Sequence, residues 1–168
     1  MSVLVVYYSR TGNTRKVAQQ IVAGLDADFE EIRTVDDLRG GIGWWKAGFR
    51  ALIGRPEAIE PAAKDPSAYD LVVIGSPIWM KLTPPVRTYL KCNAGRFQRA
   101  AFFVTHGGSG EKKAFAEMSR LIGCAPVATL EVREAEIASG VWLSKVDAFV
   151  ATLQPARSAP TPRKSLNR

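Results

Sequence analysis

Ser9-Arg10-Thr11-Gly12-Asn13-Thr14 follows directly on the apolar run Val3-Leu4-Val5-Val6-Tyr7-Tyr8. A strand pattern hands over to a helix pattern through a short stretch that carries three hydroxyls, one glycine and one asparagine. A helix leaves its first N–H groups without intrahelical acceptors, and its aligned peptide dipoles favour negative charge beyond them. Gly12 permits a positive φ and a close backbone approach. Ser9, Thr11 and Thr14 offer O–H donors, and Asn13 or Thr14 can cap the helix that follows. The stretch reads as a phosphate cradle. No Gly-Lys-Ser/Thr follows it, so it is not a P-loop, and it is not the G-x-G-x-x-G of a dinucleotide fingerprint. A site for a terminal monophosphate remains, set against the plain alternative of a polar turn with an N-cap.

The run Val6 to Thr14 resembles the phosphate-binding signature of the flavodoxin family, a strand followed by Ser/Thr-x-Thr-Gly-Asn-Thr. The resemblance extends from Val3 to about Leu153. It implies a non-covalently bound flavin mononucleotide (FMN) as cofactor, and an α/β fold with a doubly wound, open five-stranded parallel sheet of strand order 2-1-3-4-5. Helices would cover both faces of that sheet.

The residues support five strands alternating with helices, and parallel strands need such crossovers. Met1 to Tyr8 is the first strand, apolar enough to be covered on both faces. Val17, Ile21 and Leu25 mark one stripe of a helix from Thr14 to Leu25. Phe29 to Arg33 is a weaker, more polar strand, expected nearer an edge. Tyr69 to Gly75 is the central strand and empties into a loop, Ser76 to Pro84, before a short helix from Pro85 to about Lys91. Arg99 to Thr105 is the fourth strand, Glu111 to Ile122 a helix, Val127 to Val132 the fifth strand. Trp142, Val146, Phe149, Val150 and Leu153 define the closing helix.

Two further loops are glycine- and hydroxyl-rich, and they follow strands three and four. Gly75-Ser76-Pro77-Ile78-Trp79 resembles the Gly-Ser/Thr-Pro-x-Trp stretch of flavodoxin-like proteins. Ile78 and Trp79 would give an isoalloxazine its apolar slot and a stacking face, and Ser76, Pro77 and the stretch through Met80 and Lys81 would supply the loop and its amide donors. For Trp79 the bland reading is a core residue. Thr105-His106-Gly107-Gly108-Ser109-Gly110 resembles the Thr-x-Gly-Gly-x-Gly loop of the same group. There Thr105, His106, Gly107, Gly108 and Gly110 would let the pyrimidine edge approach the backbone. His106, the single histidine, is a candidate proton relay or N1/O2 partner, or an incidental loop residue. No metal site is read from the sequence.

Two departures from the family pattern bear on chemistry. Related sequences often place Ala-Gly after the tryptophan, where this chain has Met80-Lys81. A non-glycine residue makes a peptide turn toward N5 cost on the order of 1 kcal/mol, which disfavours one-electron reduction. A cationic Lys81 near N1 would favour the anionic two-electron-reduced ring, making it the other catalytic candidate. The charge also differs: 23 Lys and Arg against 16 Asp and Glu give +7, whereas electron-carrying flavodoxins are typically acidic, which suits basic partners. Two roles compete. One is electron transfer to a redox partner protein; the other is an NAD(P)H-dependent quinone or flavin reductase, with Arg50, Arg55 or Lys81 near the nicotinamide nucleotide. A non-enzymatic interaction module is a third reading, opposed by the intact Ser9 to Thr14 loop.

At 168 residues the chain is expected to be one domain, 1–154, ahead of a basic tail, 155–168. That tail carries Arg157, Arg163, Lys164 and Arg168 with no acid, is rich in proline, and is expected to be disordered. An excursion over about 36–65 contains Ile42, Trp45, Phe49 and Ile53 at helical spacing beside Trp44. It is expected either to pack on the sheet edge or to cover the flavin or build a homodimer. No run approaches the roughly 20 apolar residues of a membrane span, no leader is read, and a cytoplasmic location is expected. No specific nucleic-acid partner is indicated. Cys92 and Cys124, with no C-x-x-C, are expected to be reduced and buried.

Overall fold

A computed structural model describes residues 1–35, 57–79 and 81–154. The excursion helix with Trp44, Trp45, Arg50 and Arg55, the residue Met80, and the basic tail lie outside the described residues. Five parallel strands run in the order β2-β1-β3-β5-β6: β1 Val3–Tyr7, β2 Asp28–Glu31, β3 Leu71–Trp79, β5 Ala100–His106 and β6 Thr129–Arg133. A two-residue strand, β4 Lys81–Leu82, folds back antiparallel on the end of β3. Counting only the parallel strands in chain order, this is 2-1-3-4-5, the flavodoxin-like order. The connecting helices are α1 Asn13–Leu25, α2 Pro84–Cys92, α3 Glu111–Ile122, α4 Glu134–Ser139 and α5 Trp142–Leu153.

Because side chains alternate along a strand, β1, β3 and β5 each feed two cores. On one face Val3, Val5, Leu71, Val73, Ala101 and Phe103 meet Val17 and Ile21 of α1 and Val146 and Phe149 of α5. On the other, Leu4, Val6, Val72, Ile74 and Phe102 meet Val86 and Leu90 of α2 and Met118 of α3. Among the described residues the strand β2 pairs only with β1, and its Phe29 is 56% exposed, as an edge position allows.

The central strand is longer than its apolar run suggests. The segment Ser76-Pro77-Ile78-Trp79, expected as loop, is strand: Pro77 is in register with Thr105 and Ile78 with His106. The β1 pairing ends at Tyr7 and Gly75. Beyond that point β3 has lost its long neighbour on the β1 side, so a proline without an N–H is tolerated. By the same register His106 belongs to β5 and is no loop residue. The helix α4 was not legible from apolar periodicity, and none of its residues is buried. Cys92 is exposed and Cys124 half-buried, both free thiols, which corrects the expectation of buried ones.

Gly75 of β3 stands in register with Phe103 of β5. A Cβ there would stand 2.0 Å from Cζ of Phe103, so the phenylalanine ring occupies the space a side chain would need. Gly75→Ala is expected to destabilise the fold by about 3 kcal/mol or more, read as a lowered urea midpoint. Gly75→Ala combined with Phe103→Leu should recover part of that loss.

Candidate functional site

The carboxyl ends of β1, β3 and β5 are adjacent, so the segments after them share one edge of the sheet. Direct contacts tie all three together. Thr14 Oγ1 and Thr105 Oγ1 are hydrogen-bonded at 2.8 Å, joining the start of α1 to the end of β5. The Arg10 guanidinium lies 5.1 Å from the centre of the Trp79 ring, joining the first segment to the end of β3. A Cβ on Gly110 would be 3.6 Å from Cγ2 of Ile78, joining the second segment to the third.

The start of α1 is shaped by backbone geometry. Gly12 is the N-cap of α1 with φ 94° and ψ −15°, and its place is open, with no atom within 4 Å of a would-be Cβ. Neither Asn13 nor Thr14 caps the helix, contrary to expectation. Ser9 does so from outside the helix, its Oγ accepting the Arg15 N–H at 3.1 Å. Among the described residues, no acceptor meets the amide N–H groups of Thr11, Gly12, Asn13 and Thr14. Orphan donors of this kind at a helix N-terminus are what an anion takes up. Thr11 is exposed, whereas Thr14 is buried by its bond to Thr105.

The second segment divides. Trp79 is half-buried and Lys81 exposed, while Pro77 and Ile78 are buried. Ser76 is not brought to the open edge: its hydroxyl is internal, 2.9 Å from Thr83 Oγ1 and donating to its neighbour's carbonyl. It ties β3 to the start of α2 in place of the expected flavin-facing donor. The Lys81–Leu82 hairpin is pinned from below by a residue sequence reasoning passed over. Arg87 donates from Nη2 to the Leu82 carbonyl at 3.2 Å, and its Nε meets Glu117 Oε1 of α3 at 2.7 Å.

In the third segment Gly107, Gly108 and Ser109 are exposed and Gly110 caps α3 with φ 115°. His106 is buried, its side chain 1% exposed, and its Nε2 stands 3.2 Å from Glu131 Oε2 on β6. Its Nδ1 is buried with no hydrogen-bond partner. Glu131 also lies 3.7 Å from Lys145, whose Nζ meets both carboxylate oxygens of Glu136 at 3.1 Å. The Arg133 N–H, then Lys145, hold the Glu136 carboxyl below its ordinary range. Glu111 is held low in the same way, by its own backbone N–H first and by that of Gly110, 3.0 Å away. Neither Glu131 nor Glu111 stands out in the sequence. The one signal is an acid placed between the buried apolar residues Leu130 and Val132.

The fold defines a doubly wound α/β protein, with the unpartnered amides of Thr11 to Thr14 at the point where strand order reverses. The chain belongs to the flavodoxin family: the family model described as Flavodoxin matches residues 2–131. No curated protein sequence matches it. Among solved structures, it is similar to a flavoprotein from Lactobacillus acidophilus NCFM in complex with FMN, at 22% identity and TM-score 0.68, covering 82% of this chain and 97% of that one. It is also similar to oxidised flavodoxin 2 from Bacillus cereus, at 19% identity and TM-score 0.57 over 90% and 97% of the two chains. An NADH:FMN oxidoreductase in its apo form is similar at 17% identity and TM-score 0.55 over 100% of both chains. At these identities the likeness is one of fold. Among the described residues no helix is long and apolar enough to cross a membrane.

The buried hydroxyl pair is the joint between cradle and third segment. Thr14→Val leaves the Thr105 hydroxyl buried without a partner, and a loss of about 1–3 kcal/mol of stability is expected. In a denaturation-based double-mutant cycle, Thr14→Val with Thr105→Val should cost clearly less than the sum of the single changes.

Proposed function

We propose that this protein binds FMN non-covalently and transfers electrons through it. The observation that carries the reading is the set of unpartnered amide N–H groups from Thr11 to Thr14, at a helix N-terminus on the edge where three segments converge. Bound FMN would supply the redox chemistry, accepting and releasing electrons at its ring.

The chain's own residues bind and tune. The amides of Thr11 to Thr14 and the exposed Thr11 hydroxyl hold the terminal phosphate, aided by the α1 dipole. Arg10 adds a positive charge within reach of the cradle while its guanidinium packs on Trp79. Trp79 offers the flat face against which a ring system stacks, and the backbone of Gly107 and Gly108 leaves the opposite segment without side chains. The Thr14 to Thr105 bond sets the spacing between phosphate and ring regions. Arg87, through the Leu82 carbonyl, keeps the Lys81–Leu82 hairpin in place beside the ring.

A second reading, an NAD(P)H-dependent quinone or flavin reductase, is favoured by the charge of the site rim. Arg10 and the exposed Lys81, Lys112 and Lys113 belong to the same edge, and such a rim attracts an anionic nucleotide. Under this reading NADPH or NADH delivers hydride, and a small quinone or flavin is the acceptor.

Titration of purified protein with FMN should quench flavin fluorescence at one equivalent, and protein that leaves the fluorescence unchanged sinks the proposal. Thr11→Asp sets a carboxylate against the phosphate. It is expected to weaken FMN binding by about a hundredfold or more, with the fold intact because the position is exposed. Mixing the FMN-loaded protein with NADPH or NADH without oxygen separates the two roles. Bleaching of the flavin band within seconds marks the reductase; a band that persists until a protein electron donor is added marks the carrier.

A further inference from the structure

The end of β5, the start of α3 and the middle of β6 bring three metal-ligating side chains together. One ligand atom from each of His106, Glu111 and Glu131 lies within 4.8 Å of the other two. Strand alternation explains the meeting: Thr105 faces α1, where Thr14 takes its hydroxyl, so His106 faces α3, and Glu131 projects opposite to Leu130 and Val132 of the α1 core. We propose that His106, Glu111 and Glu131 form a binding site for a first-row divalent transition metal of the zinc class.

The ligand chemistry suits such an ion, since imidazole nitrogen with carboxylate oxygens selects zinc-like metals over the oxygen-only sites of magnesium and calcium. Ligands about 2.1 Å from zinc stand about 3.4 Å apart in a tetrahedron, so rotation of one glutamate side chain closes the set. The His106 ring is not satisfied by the protein alone, because Glu131 meets one nitrogen and the other is buried without a partner. Nε2, the nitrogen that faces Glu131, is the one placed to ligate the ion, and a buried nitrogen without a protein partner, as Nδ1 is, marks a place for an ion or an ordered water. Two carboxylates match a dication. The nearby cation Lys145 is taken up by both oxygens of Glu136 at 3.1 Å, closer than its 3.7 Å to Glu131, so it can yield Glu131 without losing its partner.

The consequence for the molecule is local order. His106 and Glu111 bracket the Gly107 to Gly110 segment, so one ion would pin both of its ends and tie it to β6. The inference does not depend on FMN, and its test is made on flavin-free protein.

Full-length protein carrying no affinity tag is titrated with Co²⁺ and followed by visible absorption, then displaced with Zn²⁺. One equivalent of Co²⁺ should bind at micromolar concentration with an absorption band of nitrogen and oxygen ligation, and Zn²⁺ should abolish it. Glu111→Gln and Glu131→Gln should each weaken Co²⁺ binding at least tenfold with unchanged far-UV circular dichroism. The half-buried Glu111 provides the variant that tests the site even where changes at buried His106 disturb folding. The proposal is overturned by no band up to millimolar Co²⁺, by equal affinity in the Glu111→Gln protein, or by a thiolate charge-transfer band placing the ion on Cys92 or Cys124.

Discussion

Strand β3 is buried on both faces from Leu71 to Ile78 and pairs in parallel with β1 on one side and β5 on the other. That condition organises the molecule. A strand covered twice needs helices above and below, and parallel neighbours need crossovers long enough to supply them. Each crossover returns the chain to the same end of the sheet, so the segments leaving β1, β3 and β5 have to meet at one edge. The tight seam is at Gly75, where Phe103 of β5 takes the room a side chain would fill.

At that edge, polar contacts consume most of the hydroxyls within the protein. Ser9 caps α1, Thr14 is spent on Thr105, and Ser76 on Thr83. What is left facing outward is mostly backbone: the amides of Thr11 to Thr14 and the glycine segment after β5. A phosphate site made of amides and a helix dipole demands little of side-chain identity. The end of β3 is different. There the packing of Arg10 on Trp79 and the hairpin held by Arg87 depend on particular side chains, and under the proposed function the tuning of the flavin belongs to this half.

His106 shows how a single register decides chemistry. One residue further along the chain it would be a solvated loop histidine. Ending β5, opposite Arg133 and in the same ladder as Glu131, it is buried against a carboxylate from a strand 25 residues away. The proposed ion site and any proton-handling role for this residue both follow from that placement.

The repeating units of the fold were legible because apolar period and turn chemistry are local: continuous apolar runs for covered strands, 3.6-residue stripes for helices, and a glycine and hydroxyl cluster after a strand for the cradle. Strand order entered through resemblance, and the ladder bears it out. The extension of β3 through Pro77 was not legible, since it depends on β1 ending at Gly75 while β5 continues. The short helix α4, which packs only the half-buried Ile137 against the core, left no periodic trace. Nor could spacing reveal the pairings of Thr14 with Thr105, Arg87 with Leu82 and Glu117, or His106 with Glu131. Local sequence thus carried the elements and the glycine- and hydroxyl-rich turn before α1, because both are made by neighbours in the chain. Which hydroxyls are consumed, which acid meets the histidine and what supports the Lys81–Leu82 hairpin were decided by the fold, because those contacts join residues from different strands and helices.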